Sequence, residues 1–224
     1  MTSKILPALV VVLVGAVALT FAACGDDDEP AAGGAAQTTA AKRGNSSEAA
    51  FLRGMAHHHE SAIEMAEIGQ KRAKADEIKQ LANAIVTTQT SELSTMEKIH
   101  EDLFGEKLAP DPGAHDGLGL SAEEAGMTHT QADNEKLQTA DPFDREFVDM
   151  MAPHHAGAVR MAEVVLTKTD NADLRKLAQN IIETQKAEIE TMDSFRKREY
   201  GMGVSTTPAP HGGEKKDDAG HHSG

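Results

Sequence analysis

The chain has 224 residues, enough for one domain of ordinary size plus appendages. Aromatic residues make up 3% of it and tryptophan is absent, so a core must come from Ala, Leu, Ile, Val and Met, a mix that favours helices over a β-sandwich. A formal net charge of −14 excludes nucleic-acid phosphates as a natural partner and suits a soluble protein or one that collects cations.

Residues 1–23 read as a targeting segment and stand apart from the fold. Lys4 precedes the apolar run ILPALVVVLVGAVAL, and Ala22 and Ala23 stand directly before Cys24. Small residues ahead of a cysteine resemble a bacterial lipoprotein cleavage site, with Phe21 where leucine is usual. Cys24 is then the lipidated residue, and the protein is expected to be exported and attached to the outer face of the cell membrane. The alternative is an uncleaved anchor, since about 20 apolar residues span a bilayer. Cys24 is the only cysteine, so once it is lipidated a metal site downstream must use His, Met, Asp or Glu. Residues 24–47 are small, polar and patternless, and read as a flexible tether.

The segment 48–200 carries an internal repeat. At one constant spacing Phe51 falls on Phe147, Met55 on Met151, His58 and His59 on His154 and His155, and Met65 on Met161. The register continues without insertion through Leu81 and Leu177, Ile85 and Ile181, Gln89 and Gln185, Glu92 and Glu188, and Met96 and Met192. Each copy reads as a helical hairpin. In the first, 48–104, a helix from about Glu48 to Lys71 meets a break at 73–76, and a second helix ends at Gly105. The segment 105–140 is long for a helix–helix link, and its His115, Met127 and His129 read as surface residues rather than ligands. In the second hairpin, 141–200, Asp141 is the expected N-cap with Pro142 in the first turn, and Gly201 ends the last helix. Pro153, inside the third helix, should remove a hydrogen bond and kink it just before the histidine pair. Residues 201–224 are low in complexity, carry His211, His221 and His222, and read as a disordered, solvated tail with weak metal affinity at most. Neither hairpin can bury an apolar face alone. The expected fold is therefore all-α, a four-helix bundle with the connectivity of ferritin-like folds, built from two repeated hairpins.

A helical wheel assigns directions. On the first helix Phe51, Met55, Ala62, Ala66 and Gly69 form one stripe with His58 and His59 at its edges, while His57, Glu60, Glu64 and Glu67 face away. On the second, Gln89 and Glu92 lie close to the stripe of Ile78, Leu81, Ile85, Met96 and Leu103, and Gln185 and Glu188 repeat the pattern. An unpaired carboxylate in an apolar interior costs several kcal/mol, so something must compensate it. With the turn near residue 74, Met55, His58, His59, Gln89, Glu92 and Met96 should gather at one height. Met151, His154, His155, Gln185, Glu188 and Met192 should gather likewise.

Two readings compete. Methionines pack cores well, and a His–Gln–Glu network can fix helix register, giving a non-catalytic structural or interaction bundle. The density of adjacent histidines flanked by methionines favours metal binding, and thioether plus imidazole suits copper, Cu(I) above all. Histidines and methionines would then be ligands, with Gln89, Glu92, Gln185 and Glu188 holding the imidazoles. A ferritin-like iron or redox enzyme is the weaker alternative, because Gln89-x-x-Glu92 and Gln185-x-x-Glu188 stand where a di-iron site needs Glu-x-x-His. No zinc-hydrolase spacing or nucleophile constellation is visible, so no catalysis is expected.

FLRGMAHHHESAIEMA with QTSELSTM, and FVDMMAPHHAGAVRMA with QKAEIETM, resemble the bacterial "domain of unknown function 305" family over about residues 48–200. The resemblance implies an exported protein with a ferritin-like bundle, in a family with members implicated in copper binding and tolerance. It places the Met/His frame on Met55, His58, His59, Met65 and Met96, and on Met151, His154, His155, Met161 and Met192. The expected function is copper binding and sequestration outside the cytoplasm.

Overall fold

In the computed structural model the described residues are 44–207. The expected signal segment, Cys24, the tether up to residue 43 and the tail histidines His211, His221 and His222 lie outside them. Every regular element among the described residues is helical. α1 (Ser46–Arg72) opens on a capping box: the Asn45 side chain accepts from the Ser47 and Glu48 amides, and the Glu48 carboxylate accepts from the Asn45 amide. α2 (Asp76–Phe104) ends where Gly105 takes φ +73°, a conformation that side chains disfavour. α3 (Gln131–Thr139) is short, and α4 (Phe143–Leu166) and α5 (Ala172–Tyr200) form the second hairpin.

The expected cap at Asp141 is not the one used. Pro142 occupies the cap position and α4 starts at Phe143, running unbroken through Pro153. The working carboxylate is Asp144, which accepts from the Lys74 and Ala75 amides in the turn of the first hairpin, at 2.9 Å each. Glu48, the equivalent position in the first copy, accepts the Thr169 hydroxyl in the turn of the second hairpin. Each hairpin's turn is thus pinned by the first helical turn of the other.

α1 packs on α2 within its hairpin and on α4 across hairpins, and α4 packs on α5, whereas α2 and α5 touch sparsely. The core falls into two apolar clusters. Along α1 the chain passes from the first (Phe51, Leu52, Met55, Ala56) to the second (Ala62, Met65, Ala66). α4 meets them in reverse, Phe147, Val148, Met151 and Ala152 in the second and Ala158, Met161, Ala162 and Val165 in the first. Neighbouring helices therefore run antiparallel, and His58, His59, His154 and His155 fall at the crossing between clusters.

The segment 105–140 is more than a link. A 3-10 turn at Ala114–Leu118 and α3 both pack on α1 and α4. His115, expected at the surface, is buried with its ring donating from Nδ1 to the Leu120 carbonyl at 2.8 Å. Past α5, the Val204 amide donates to Asp193 at 3.2 Å, so the first residues of the expected tail lie back against α5. Among the described residues no helix is long and apolar enough to cross a membrane.

Candidate metal centre

The histidine pairs sit midway along α1 and α4 because apolar turns on either side carry both helices into the core. All four rings are buried. The rings of His58 and His154 are in contact, centroids 3.7 Å apart and planes tilted by 40°. The outer member of each pair binds its own hairpin: His59 Nε2 donates to Glu92 and His155 Nε2 to Glu188, both at 2.7 Å. The two copies therefore meet in one polar layer, and His57 stays half-buried outside it.

Hydrogen bonding sets the tautomers. A carbonyl only accepts, so the 2.9 Å bond from His58 to the His154 carbonyl puts the proton on His58 Nε2. The carboxylates of Glu92 and Glu188 do the same for His59 and His155. In these three rings, when uncharged, Nδ1 is then a bare lone pair, and Nδ1 of all four histidines is buried without a partner. Burial, and after it the neighbouring imidazoles, hold His58 and His154 well below the ordinary histidine range. Both are neutral at physiological pH, the form that binds metals.

Gln89 and Gln185, expected to hold the imidazoles beside Glu92 and Glu188, are also buried, but neither the oxygen nor the nitrogen of either amide has a partner. Each unsatisfied polar group of this kind costs about 1–3 kcal/mol. The methionines distribute in a way the hairpin geometry does not predict. Met55 and Met96 share the first cluster with Met161 of the other copy, and Met151 and Met192 share the second with Met65. All six are fully buried. The layer of nitrogen donors is thus flanked on both sides by thioethers drawn from both copies. Among the described residues no group of three or more His, Asp or Glu side chains converges closely enough to hold an ion by itself.

The segment between hairpins covers the layer. Gly126 takes φ +68°, and a Cβ there would lie 2.8 Å from the His154 carbonyl and 3.2 Å from His58 Nε2. A Cβ on Gly157 would lie 2.3–2.4 Å from the backbone of Ala125 and Gly126. His129 approaches His154 edge-on with centroids 6.2 Å apart, and Met127, half-buried, packs against the first apolar cluster. Met127 and His129, expected at the surface, are thus half-buried against the core, and Gly126 and Gly157 drew no expectation. The available signal was Gly157 standing where the first copy has Ser61. On the other side, a groove of about 710 Å³ runs between α2 and α5 with Glu92 on its wall beside Thr88, Ser91 and Thr184.

Residues 48–196 match the family described as Domain of unknown function (DUF305). The chain belongs to the DUF305 family. Among solved structures it is similar to CopM in the Cu(I)-bound form, at 32% identity and a TM-score of 0.58, over 69% of this chain and 98% of that one. CopM has also been solved in apo, Ag-bound and Cu(II)-bound forms. A DUF305 protein from Streptomyces coelicolor, described as secreted, matches at 26% identity and a TM-score of 0.62, over 74% and 99% of the two chains. A DUF305 fragment from Deinococcus radiodurans matches at 25% identity and a TM-score of 0.60, over 70% and 99%. Among curated proteins none matches.

Proposed function

We propose that this DUF305 protein binds copper, as Cu(I), outside the cytoplasm, and sequesters it between its two hairpins. The observation that carries this reading is the buried layer itself. His58, His59 and His155 turn their protons to fixed acceptors, and Nδ1 of all four imidazoles is unpartnered, between two sets of buried methionines. Nitrogen lone pairs and thioethers are the donors a soft cation prefers. The ligands would be drawn from His58, His59, Met55, Met65 and Met96, and from His154, His155, Met151, Met161 and Met192. Glu92 and Glu188 would fix the tautomers of His59 and His155, a role metal-binding histidines commonly assign to carboxylates. Similarity to CopM, solved with Cu(I), Cu(II) and Ag, supports the choice of metal.

On this reading the four long helices act as one bundle of ferritin-like connectivity, and the protein is a store or carrier rather than an enzyme. Lipidation of Cys24 would hold it at the outer face of the cell membrane. The test is a titration of the full chain with Cu(I) against a chromophoric chelator, repeated on His58→Ala/His154→Ala. A control with His211, His221 and His222 changed to Ala removes the tail. Saturable uptake that survives the tail control and weakens tenfold or more in the double variant is expected. A folded parent that takes no Cu(I) from the chelator would overturn the reading.

A second reading rests on the paired His59–Glu92 and His155–Glu188 bonds and on the lack, among the described residues, of a group of three or more His, Asp or Glu that could hold an ion. It makes the layer a register-fixing network in a structural bundle. The same variants would then lose stability with no change in a metal affinity that was weak throughout.

A further inference from the structure

His129 lies in the connector and belongs to neither copy of the repeat. It lies in the segment just before α3, half-buried, with its ring edge-on to His154. Its orientation is fixed by a relay. Asn134 is buried, its Nδ2 donates to Glu64 on α1 at 3.0 Å, and its Oδ1 therefore faces His129 Nε2 at 2.8 Å. An amide oxygen only accepts, so His129 carries its proton on Nε2. In the uncharged ring Nδ1 is left as a lone pair, as in His58, His59 and His155. The result is a succession of imidazoles from the half-buried His129 inward to His154 and then to His58, tilted against it.

The other approach to the layer is the groove between α2 and α5. Among its lining residues the potential ligands are hydroxyls, amides and carboxylates, interspersed with Lys98 and Lys176. Such a wall offers a soft cation little, because soft ions favour nitrogen and sulfur over oxygen donors. The Ala125–Gly126 backbone closes the direct way to His58 and His154 by lying on Gly157. His129 stands beside that closure.

We propose that His129 is the outermost copper ligand of this protein: it takes Cu(I) from a donor at the surface and passes it to His154 by ligand exchange. This rests on the reading that the buried layer takes up Cu(I). The step involves no change of oxidation state, only one imidazole bond to the ion formed as another breaks.

The experiment is stopped-flow transfer of Cu(I) from a chromophoric chelator to the full chain, with the uptake at equilibrium measured on the same samples. His129→Gln keeps an N–H for Asn134 and removes the imidazole; His129→Ala removes both. Both are expected to slow transfer tenfold or more at unchanged stoichiometry. Asn134→Ala, which leaves the imidazole unsteered, should fall between them and the parent, and His57→Ala should match the parent. A folded His129→Gln that loads as fast as the parent would overturn this proposal alone. A parent that takes up no Cu(I) would overturn it together with the reading beneath it. If His129 serves only to dock α3, the variants will melt earlier and load at the parental rate.

Discussion

His58 and His154 are 96 positions apart in the chain, yet their rings lie 3.7 Å apart and His58 donates to the His154 carbonyl. Neither can be charged cheaply there. Burial first, and then the other imidazoles, lower both pKa values well below the ordinary one. Unfolding returns both to about 6.5, so below that pH the unfolded chain binds more protons than the folded one. Stability should therefore be flat above about pH 7 and fall as the pH drops through 6.5, with each histidine adding up to about 1.4 kcal/mol per pH unit. Urea melts at pH 7.5, 6.5 and 5.5 measure the slope, and His58→Gln/His154→Gln should flatten it. A slope unchanged in the double variant would assign the acid sensitivity to other groups.

The bond from His59 to Glu92 is the point where the buried layer reaches the groove. The ring is fully buried and the Glu92 side chain is 12% exposed. Glu92→Ala leaves a buried N–H without its acceptor, which should cost about 1–3 kcal/mol. It also frees the tautomer of His59, and loss of such a partner typically lowers metal affinity 10–100-fold. Glu92→Gln retains an acceptor oxygen and should recover most of the stability. Glu188→Ala should reproduce both losses through His155. Paired urea melts and Cu(I) competition separate the two effects. Stability lost at unchanged affinity would favour the register-fixing role.

How much of this was legible in the residues follows from how local each interaction is. The hairpins could be read because Gly105 and Gly201 stop helices by backbone conformation, and because the repeat keeps one register throughout. The inward direction of His58, His59, Gln89 and Gln185 could be read because helical periodicity fixes each residue's face relative to Phe51 or Ile85. Three things could not. Met65 joins Met151 and Met192 only because α1 and α4 run antiparallel across the hairpins, a tertiary fact absent from either hairpin alone. The role of 105–140 was hidden because its buried apolar residues, Leu118, Ala125 and Leu137, are too widely spaced to make a helical period, and its seat on Gly157 is backbone. Asp141 looked like a cap by residue type, but Pro142 occupies that position and Asp144 reaches across to the other hairpin instead.

Gly157 and Ser61 occupy equivalent positions in the two copies and should respond oppositely to alanine. At Gly157 the new Cβ would collide with the backbone of Ala125 and Gly126, and backbone yields less readily than a side-chain tip. Overpacking of this kind costs about 1–3 kcal/mol. Gly157→Ala should also lift the cover from His58 and His154, read as faster amide exchange at Ala125, Gly126 and Met127. Ser61 Oγ is buried without a partner, so Ser61→Ala removes an unsatisfied group and should be neutral or stabilising. Equal effects at the two positions would mean that the cover is not seated on Gly157.

The methionines distinguish packing from ligation most directly. Leucine conserves the volume of methionine closely enough that such swaps usually cost less than about 1.5 kcal/mol, but it carries no sulfur. Met55, Met96 and Met161 share one cluster and are all fully buried, so the triple change to Leu tests one flank of the layer as a unit. If the thioethers are ligands, the variant should fold, melt near the parent and hold Cu(I) at least tenfold less tightly. Sulfur scattering at copper in the X-ray absorption spectrum should fall at the same time. The equivalent change at Met151, Met192 and Met65 should do the same, because that set mirrors the first across the layer. Should uptake and sulfur scattering both survive the loss of one set and not the other, the ion belongs to one flank, and the repeat has kept two cores but a single site. Should neither change matter, the methionines only pack, and the imidazoles alone must hold the ion.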